Sequence, residues 1–297
     1  MADASGPAPA GDASGAAPAG DALDPAALRA VYDAQLRAFV PDRLPPDVTV
    51  DTDGPLLRVT GLDATGFVTY RSLGGVEGDE LDALIARQRD FYAARGQALE
   101  WKLHGHDVPA DLPDRLVAAG FRPEDRETVV IGLAAPLADP APPLPEGVRL
   151  REVTERADLD GIQALKVAVW GDGRLNLADA LEREIAADPA GVTVVVAETT
   201  AETTAEGGSA AGGRVVSAGW VRYVSGTRFA TLWGGATLPP WRGRGIYRAL
   251  VAYRAWLAVS RGYEYLQVDA SDDSRPILQR CGFVAVTTTT PYIHPSP

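Results

Sequence analysis

The chain has 297 residues, of which 46% are hydrophobic, and a formal net charge of −12 at pH 7. This length allows two domains, and the single cysteine, Cys281, excludes an internal disulfide and favours a reducing, cytoplasmic compartment. No run of 18 apolar residues exists, so no membrane partner is expected, and the acidic charge argues against nucleic-acid binding.

The first part of the chain combines a polar tail with a mixed pattern of helices and strands. Residues 1–22 are rich in Ala, Gly, Pro, Ser and Asp, which predicts a disordered tail. Asp24 followed by Pro25 is typical of a helix start. The apolar periodicity then predicts a helix after residue 24, strands at 56–60 and 67–70, a helix over 79–95, a strand at 98–103, a short helix at 112–119 and a strand at 128–133.

A change in composition and charge marks a domain boundary near the middle of the chain. Residues 134–146 contain five prolines, which predicts a stiff, extended linker. Residues 1–146 carry 12 basic and 24 acidic side chains, whereas residues 147–297 carry 16 of each. We therefore expect one domain over 23–133 and a second over 147–297.

The second half continues the alternation of strands and helices. Its pattern predicts a strand at 148–153, helices at 158–170 and 177–187, strands at 193–198, 214–223 and 229–238, a helix at 245–260, a strand at 263–269, a helix at 274–280 and a strand at 284–292. Residues 199–213 are rich in Thr, Ala and Gly, which predicts an expanded hairpin tip.

The two halves are similar in the order and spacing of their elements, although the spacings could also agree by chance. In each half a long helix, a strand, a short helix and a Gly-Phe pair follow one another, ending at Gly120-Phe121 and at Gly282-Phe283. In the first half acidic side chains crowd the start of the long helix, where they would repel phosphate. These acids are Glu77, Asp79, Glu80 and Asp82. We expect the first half to be degenerate and without an anion site.

Residues 231–262 predict a buried strand, a glycine-rich turn and an amphipathic helix. The turn is Arg242-Gly243-Arg244-Gly245. Glycines allow a sharp turn close to a ligand, and the free amides at a helix N-terminus bind anions. Between residues 207 and 263 there are eight arginines and no acidic residue. We predict a phosphate-binding loop; the alternative is an ordinary loop before a helix.

The sequence Arg-Gly-Arg-Gly-Ile-Tyr at 242–247 resembles the R-x-x-G-x-G/A motif of the GCN5-related N-acetyltransferase superfamily, and the element order over 147–294 is similar to its fold. The resemblance implies an α/β (α+β) protein of two tandem acetyltransferase-like domains, each a mixed, mostly antiparallel sheet flanked by helices. It also implies acetyl-CoA as co-substrate, a small-molecule primary amine as acceptor, direct transfer and no metal. We expect a monomer or a homodimer.

The resemblance further implies which residues bind the coenzyme. In the family the turn holds the pyrophosphate, and the preceding strand carries a bulge and pairs with the pantetheine arm. The last Gly/Ala of the motif is Tyr247 here, so this side chain must point away from the phosphates or reshape the site. The implied coenzyme-binding residues are Ala236, Thr237, Leu238, Arg242, Gly243, Arg244, Gly245, Ile246, Tyr247, Arg248, Ser271 and Ser274.

Acetyl transfer requires a base for the amine and an outlet for the thiolate. In the family the acetyl group lies between two splayed strands, and Asp269 ends the strand that borders this gap. Asp269 is therefore the predicted base, with an ordinary turn or cap residue as the alternative, whereas Asp272 and Asp273 fit helix caps better. The thiolate-protonating tyrosine of the family is replaced by Leu278, so the thiolate leaves unprotonated or takes a proton from another group. The candidate donors are Tyr292, Ser271, Ser274 and water, and Tyr292 is the second predicted catalytic residue.

Two histidines, His104 and His106, alternate onto one face of a predicted strand in the first half. They fit a strand end, a part of the acceptor pocket or a zinc site, but no third ligand has recognisable zinc spacing. Cys281 fits a small buried hydrophobic residue. Two further functions stay open: a non-catalytic acyl-CoA-binding or regulatory module, which the missing tyrosine favours, and nucleic-acid binding through the Arg-Gly stretch, which the net charge disfavours.

Overall fold

A computed structural model describes residues 23–61, 65–140, 142–171, 176–200 and 213–296. The predicted disordered tail at 1–22 and most of the predicted hairpin tip at 199–213 lie outside these residues. The elements of the first half are α1 (Pro25–Gln35), β1 (Thr49–Asp53), β2 (Leu56–Thr60), β3 (Thr65–Thr69), α2 (Gly78–Ala93), β4 (Ala98–His104), α3 (Leu112–Ala118), β5 (Arg122–Pro123), β6 (Glu127–Leu133) and α4 (Ala134–Ala138).

The second half has the predicted order of elements and one additional short turn of 3₁₀ helix at Pro239–Trp241. Its elements are β7 (Val148–Val153), α5 (Arg156–Trp170), α6 (Leu177–Ala187), β8 (Val192–Thr199), β9 (Val215–Tyr223), β10 (Phe229–Thr237), α7 (Ile246–Ser260), β11 (Tyr265–Ala270), α8 (Arg275–Cys281) and β12 (Val284–His294).

The strands form one continuous sheet across both halves. The strand order is β1-β2-β3-β4-β12-β6-β11-β10-β9-β8-β7, and β5 pairs with β12. Among the described strands only β3–β4 and β10–β11 are parallel neighbours. The predicted fold class, a mixed and mostly antiparallel sheet flanked by helices, is therefore confirmed.

The last strand of each half lies in the other half's part of the sheet. β6 pairs with β11 of the second half, β12 pairs with β4 of the first half, and β6 and β12 pair with each other. The ranges 23–133 and 147–297 consequently do not each contain a full set of neighbouring strands, and these limits remain a prediction. The exchange brings side chains of the first half next to β11.

The predicted linker is not extended over its first five residues. Residues 134–138 form α4, in which Ala134 and Leu137 are buried. The backbone N–H of Ala134 donates to the carbonyl of Glu264 at 2.8 Å. Pro136 is compatible with this helix because it lies in the first turn, where its missing N–H removes no intrahelical hydrogen bond. Apolar packing thus overrides the extended tendency of a proline-rich segment.

The two faces of the central strands have different coverings. On β11, Leu266 and Val268 belong to the main hydrophobic core together with residues of α7 and α8. Tyr265 lies on the opposite face, in a smaller cluster with residues of α1. We call the side of the central strands that carries Tyr265, Gln267 and Asp269 the α1 face. Among the described residues, no helix is both long and apolar enough to cross a membrane.

Candidate active site

The site is organised by a gap between the parallel strands β10 and β11. They pair at only three positions, the last of which joins Thr231 and Gln267. Beyond this point β10 continues to pair with β9 as far as Thr237, and β11 continues to pair with β6 as far as Ala270. Backbone groups on the facing edges of the two strands are therefore available to a ligand that enters the gap.

A β-bulge lies at the edge of this gap, in β10. The register with β9 shifts between Trp233 and Ala236, so the bulge contains Gly234 and Gly235. Gly234 has a φ of +65°, and a Cβ at this position would lie 1.8 Å from the ring of Trp220. The expected bulge is thus present, immediately before Ala236 rather than within 236–238. Only glycine combines this backbone conformation with this close ring contact.

We expect Gly234→Ala to reduce the free energy of unfolding by about 2–3 kcal/mol, because left-handed strain and overpacking against Trp220 add together. Gly226→Ala is the matched control. Gly226 has a φ of +71°, and no atom lies within 4 Å of the place that a Cβ would occupy, so this variant should lose only about 1 kcal/mol. Urea denaturation of both variants measures the difference, and equal losses would contradict the steric role of Trp220.

The predicted phosphate-binding loop has two glycines with positive φ angles before a helix that no side chain caps. Gly243 and Gly245 have φ angles of +72° and +83°, and no atom lies within 4 Å of a Cβ placed on Gly243. Gly245 is the N-cap of α7, and no side chain caps the helix there. The Nε of Arg242 donates to the carbonyl of Thr237 at 3.0 Å, which ties the loop to the end of β10. The first amides of α7 therefore remain available for an anion.

The positive field around this loop is smaller than the arginine count suggests. Arg222 and Arg228 form ion pairs with Glu184 and Glu264, which lie outside the acid-free stretch. Three arginines of the loop and the first turn of α7 are exposed to solvent. They are Arg242, Arg244 and Arg248. The guanidinium of Arg244 lies 5.0 Å from the centre of the Trp241 ring.

Arg254 of α7 donates hydrogen bonds to the backbone at the bulge. The sequence analysis did not identify this role. Its side chain is buried, and its Nη1 donates to the carbonyls of Trp220 and Trp233, both at 3.2 Å. Burial lowers the pKa of Arg254 to about 10. The carbonyl of Trp233 is a backbone acceptor at the point where the bulge interrupts the ladder, so Arg254 stabilises the shape of the gap.

Tyr247 points away from the phosphate-binding loop, as its place in the motif requires. Its ring lies close to Gly235, since a Cβ on that glycine would be 2.7 Å from Cε2 of the tyrosine. Burial raises the pKa of the Tyr247 phenol, so it is protonated at neutral pH. Leu278, at the position of the family's tyrosine, is fully buried in the main core. Tyr247 therefore packs against the bulge at Gly235.

Asp269 lies on the α1 face at the end of β11 and is bonded to the first half. One carboxylate oxygen forms a short ion pair with Nζ of Lys102, and the other accepts from Nε2 of Gln267 at 2.7 Å. Burial acts to lower the pKa of Lys102, but the attraction of nearby carboxylates, chiefly Asp269, outweighs it and the net pKa is raised. Asp269 is thus part of a link between the two halves.

Two further carboxylates lie near this ion pair, and the sequence analysis did not identify them. Glu127 begins β6, and Glu100 lies on β4. Burial, followed by the charge of Asp269, raises the pKa of Glu127 to about 7. Burial also raises the pKa of Glu100, against the opposing effect of Lys102. Neither signal was visible in the sequence, because both depend on strands that are distant along the chain.

The other predicted catalytic groups are not gathered around Asp269. Tyr292 pairs with Trp101 in the register of β12 and β4 and belongs to the core of the first half, on the face opposite to Asp269. Its assignment as a catalytic residue therefore has no support from this geometry. Ser271 and Ser274 have their hydroxyl oxygens 3.2 Å apart in the exposed turn before α8. They remain predicted coenzyme contacts.

His104 and His106 are held by α1. Nε2 of His104 lies 2.9 Å from the hydroxyl of Tyr32, and Nε2 of His106 lies 3.0 Å from a carboxylate oxygen of Asp33. Burial, reinforced by nearby positive charge, lowers the pKa of His104 to about 2, so it is neutral at ordinary pH. In the part of the chain that the structure describes, no group of three or more His, Cys, Asp or Glu residues could hold a metal ion. These contacts favour the structural interpretation of the two histidines.

At the corresponding place in the first half, side chains that follow the two parallel strands bond to each other. β3 and β4 are also parallel and pair as far as Val68 and Trp101. Just beyond, the hydroxyl of Tyr70 donates to Asp107 at 2.6 Å, and Asp107 also forms an ion pair with the buried Arg37. The helix α2, which follows β3 along the chain, has acidic side chains in its first turn, as the sequence predicts. This combination disfavours an anionic ligand in the first half.

A cavity of about 310 Å³ opens beside the bulge, next to α5 and α6. It is lined by α5, α6, β9 and β10, and its walls include three tryptophans. These are Trp170, Trp220 and Trp233. The indole N–H of Trp220 is buried without a hydrogen-bond partner among the described residues. The tryptophans make the cavity suitable for an apolar group.

The fold is similar to that of known structures. A GCN5-related N-acetyltransferase from Kribbella flavida is similar, with 17% sequence identity, a TM-score of 0.61, and coverage of 84% of this chain and 91% of that chain. A tandem GNAT protein from the clavulanic acid biosynthesis pathway is similar with 16% identity, a TM-score of 0.56, and coverage of 86% and 85%. The chain has the tandem acetyltransferase fold.

A protein described as functionally unknown has a similar fold. A functionally unknown conserved protein from Staphylococcus epidermidis ATCC 12228 is similar with 11% identity, a TM-score of 0.62, and coverage of 86% of this chain and 96% of that chain. No family model and no curated protein matches the chain. The resemblance predicted from residues 242–247 is thus confirmed at the level of the fold.

Proposed function

We propose that this chain is an acetyl-CoA-dependent N-acetyltransferase that uses its second half to bind the coenzyme and transfers acetyl to a primary amine of a small molecule. The observation that carries the proposal is the gap between β10 and β11, with a bulge on one edge and a phosphate-type loop beside it. A pantetheine arm needs backbone groups to pair with, and a pyrophosphate needs free amides. This chain offers both within one continuous segment, residues 232–248.

The residues fit the coenzyme because the loop has room for it. Gly243 has no side chain and faces open space, so the phosphates of the coenzyme could approach its backbone closely. The helix α7 begins without a side-chain cap, so its first amides could bind the same phosphates. Residues 236–238 and 242–248 would hold the pantetheine and phosphate groups, with Ser271 and Ser274 at the start of α8. When bound, acetyl-CoA supplies an activated acetyl group. The protein would orient it toward the α1 face, where Asp269 and the tryptophan-lined cavity lie.

The test is an acetyl-CoA turnover screen over benzylamine, cadaverine, glucosamine and free amino acids, with thiol release as the readout. Turnover above the uncatalysed rate with one of these classes supports the proposal. Coenzyme binding without turnover on any amine would favour the second candidate, a non-catalytic acyl-CoA-binding or regulatory module. That candidate rests on Leu278, which is buried at the position where the family has its acid.

We also expect titration calorimetry to give one acetyl-CoA per chain. In the first half a hydrogen bond between Tyr70 and Asp107 joins the segments that follow β3 and β4, and the start of α2 is acidic. Two equivalent sites would contradict this expectation.

Gel filtration with light scattering would decide between the monomer and homodimer that the sequence analysis leaves open.

A further inference from the structure

The exchanged strand β6 places a carboxylate of the first half at the carboxyl end of β11. Val129 of β6 is paired with Asp269 of β11. Glu127 lies two residues before Val129 on the same strand, so its side chain is on the same face as Asp269. It is partly buried and lies beyond Asp269 along the direction of β11. The α1 face of the second half is thus completed by a residue from the first.

The strand between the halves leaves an unsatisfied polar group at the same place. Thr289 of β12 is paired with Glu127 on one side and with His104 on the other, so all three side chains share the α1 face. Thr289 is fully buried, and its hydroxyl has no hydrogen-bond partner among the described residues. A buried hydroxyl without a partner is uncommon, and a polar ligand group would satisfy it.

The charges around Glu127 are unbalanced. The charged and titratable groups that face it are Lys102, Glu100, Glu124 and Asp269, with Tyr32 of α1 beside Asp269. Lys102 is already bonded to Asp269. Neither Glu127 nor Glu100 forms an ion pair within the described ranges. Lys102 compensates only part of the like-charge repulsion among these carboxylates, so a cation that enters beside them would relieve the rest.

We propose that Glu127 accepts the proton of the attacking amine and that it and Glu100 select an acceptor that enters as an ammonium ion. The inference rests on the proposed N-acetyltransferase function. The ammonium gives one proton to the Glu127 carboxylate, and the neutral nitrogen then attacks the thioester carbon. The C–N bond forms, the C–S bond breaks with its electron pair on sulfur, and the second nitrogen proton neutralises the thiolate. Glu127 finally returns its proton to solvent.

The raised pKa of Glu127, to about 7, agrees with this role. A base works best when its pKa lies close to the operating pH. Below pH 7 Glu127 is protonated and cannot accept a proton, so the rate should fall as the pH is lowered. Above pH 7 the carboxylate of Glu127 is unprotonated, so the rate should no longer rise with pH.

The test uses the full chain and whichever of benzylamine, cadaverine or glucosamine gives turnover. Glu127→Gln keeps the shape and removes the basicity; we expect kcat to fall about 10²-fold and the acidic limb of the pH profile near pH 7 to disappear. Glu127→Asp should keep that limb at a reduced rate. The matched control is Asp125→Asn, an exposed carboxylate in the loop before β6, which should leave both the rate and the acidic limb in place. Calorimetry should show unchanged acetyl-CoA affinity in all three variants.

Two results would overturn the inference, and they are distinguishable. If the wild type turns over an amine while Glu127→Gln binds coenzyme normally and stays within threefold of its rate with the acidic limb intact, Glu127 is not the proton acceptor and the proposed function stands. If the wild type itself transfers no acetyl group to any amine of the screen, the proposed function fails and the inference fails with it.

Discussion

Gly245→Asp is expected to weaken acetyl-CoA binding by at least tenfold, which corresponds to about 1.4 kcal/mol. Gly245 is the N-cap of α7 and has a φ of +83°. An aspartate there places a negative charge beside the amides that a pyrophosphate would use, and an aspartate carboxylate can itself accept hydrogen bonds from them. Titration calorimetry of the folded variant measures the loss.

The chain offers a close control at the other end of the same helix. Gly262 follows α7 with a φ of +84° and has open space around a Cβ. Gly262→Asp therefore introduces the same strain and charge away from the predicted phosphates, and a carboxylate at the helix C-terminus is electrostatically unfavourable as well. We expect it to lose stability but to keep its coenzyme affinity. Equal weakening in both variants would indicate that the helix, rather than the loop, is affected.

Asp269→Asn is expected to have the second large effect, on stability as well as on turnover. The side chains of Lys102 and Asp269 are 18% and 13% exposed, so the substitution leaves a mostly buried ammonium without its counter-charge. We expect the free energy of unfolding to fall by about 2–3 kcal/mol, slightly less than for a fully buried pair. We also expect turnover to fall about 10²-fold, because the substitution removes the negative charge of Asp269 from beside the reacting amine.

The double variant Lys102→Met/Asp269→Asn separates these two effects. Removing both charges should restore most of the lost stability, since an apolar side chain tolerates the burial that an unpaired ammonium does not. Turnover should stay low if Asp269 acts in the reaction. Urea denaturation and a thiol-release assay provide the two readouts. Recovery of turnover together with stability would assign Asp269 a purely structural role.

The parts of the fold that were predictable from the sequence depend on local signals. Asp24 caps α1 as predicted, with its carboxylate accepting from the amides of Ala26 and Ala27 at 3.0 and 3.3 Å. Gly243 and Gly245 have the positive φ angles that a sharp turn into a helix requires. Each of these features involves residues a few positions apart, so the pattern of residue types is sufficient.

The features that were missed have other causes. β1, Thr49–Asp53, has no buried residue, so it gave no hydrophobic alternation. The contact between Lys102 and Asp269 joins residues 167 positions apart. It follows from the exchange of β6 and β12, and periodicity cannot reveal this because both strands alternate equally well in either position. Glu127 and Thr289 became part of the candidate site only through that pairing.

A crystal structure of the full chain with acetyl-CoA tests the central claim most directly. The proposed function predicts one coenzyme per chain, with its pantetheine arm between β10 and β11, its thioester beside Gly234 and Gly235, and its pyrophosphate on the amides of 243–248. Coenzyme bound instead at the acidic start of α2, or a gap between β10 and β11 that stays closed to millimolar acetyl-CoA, would contradict it.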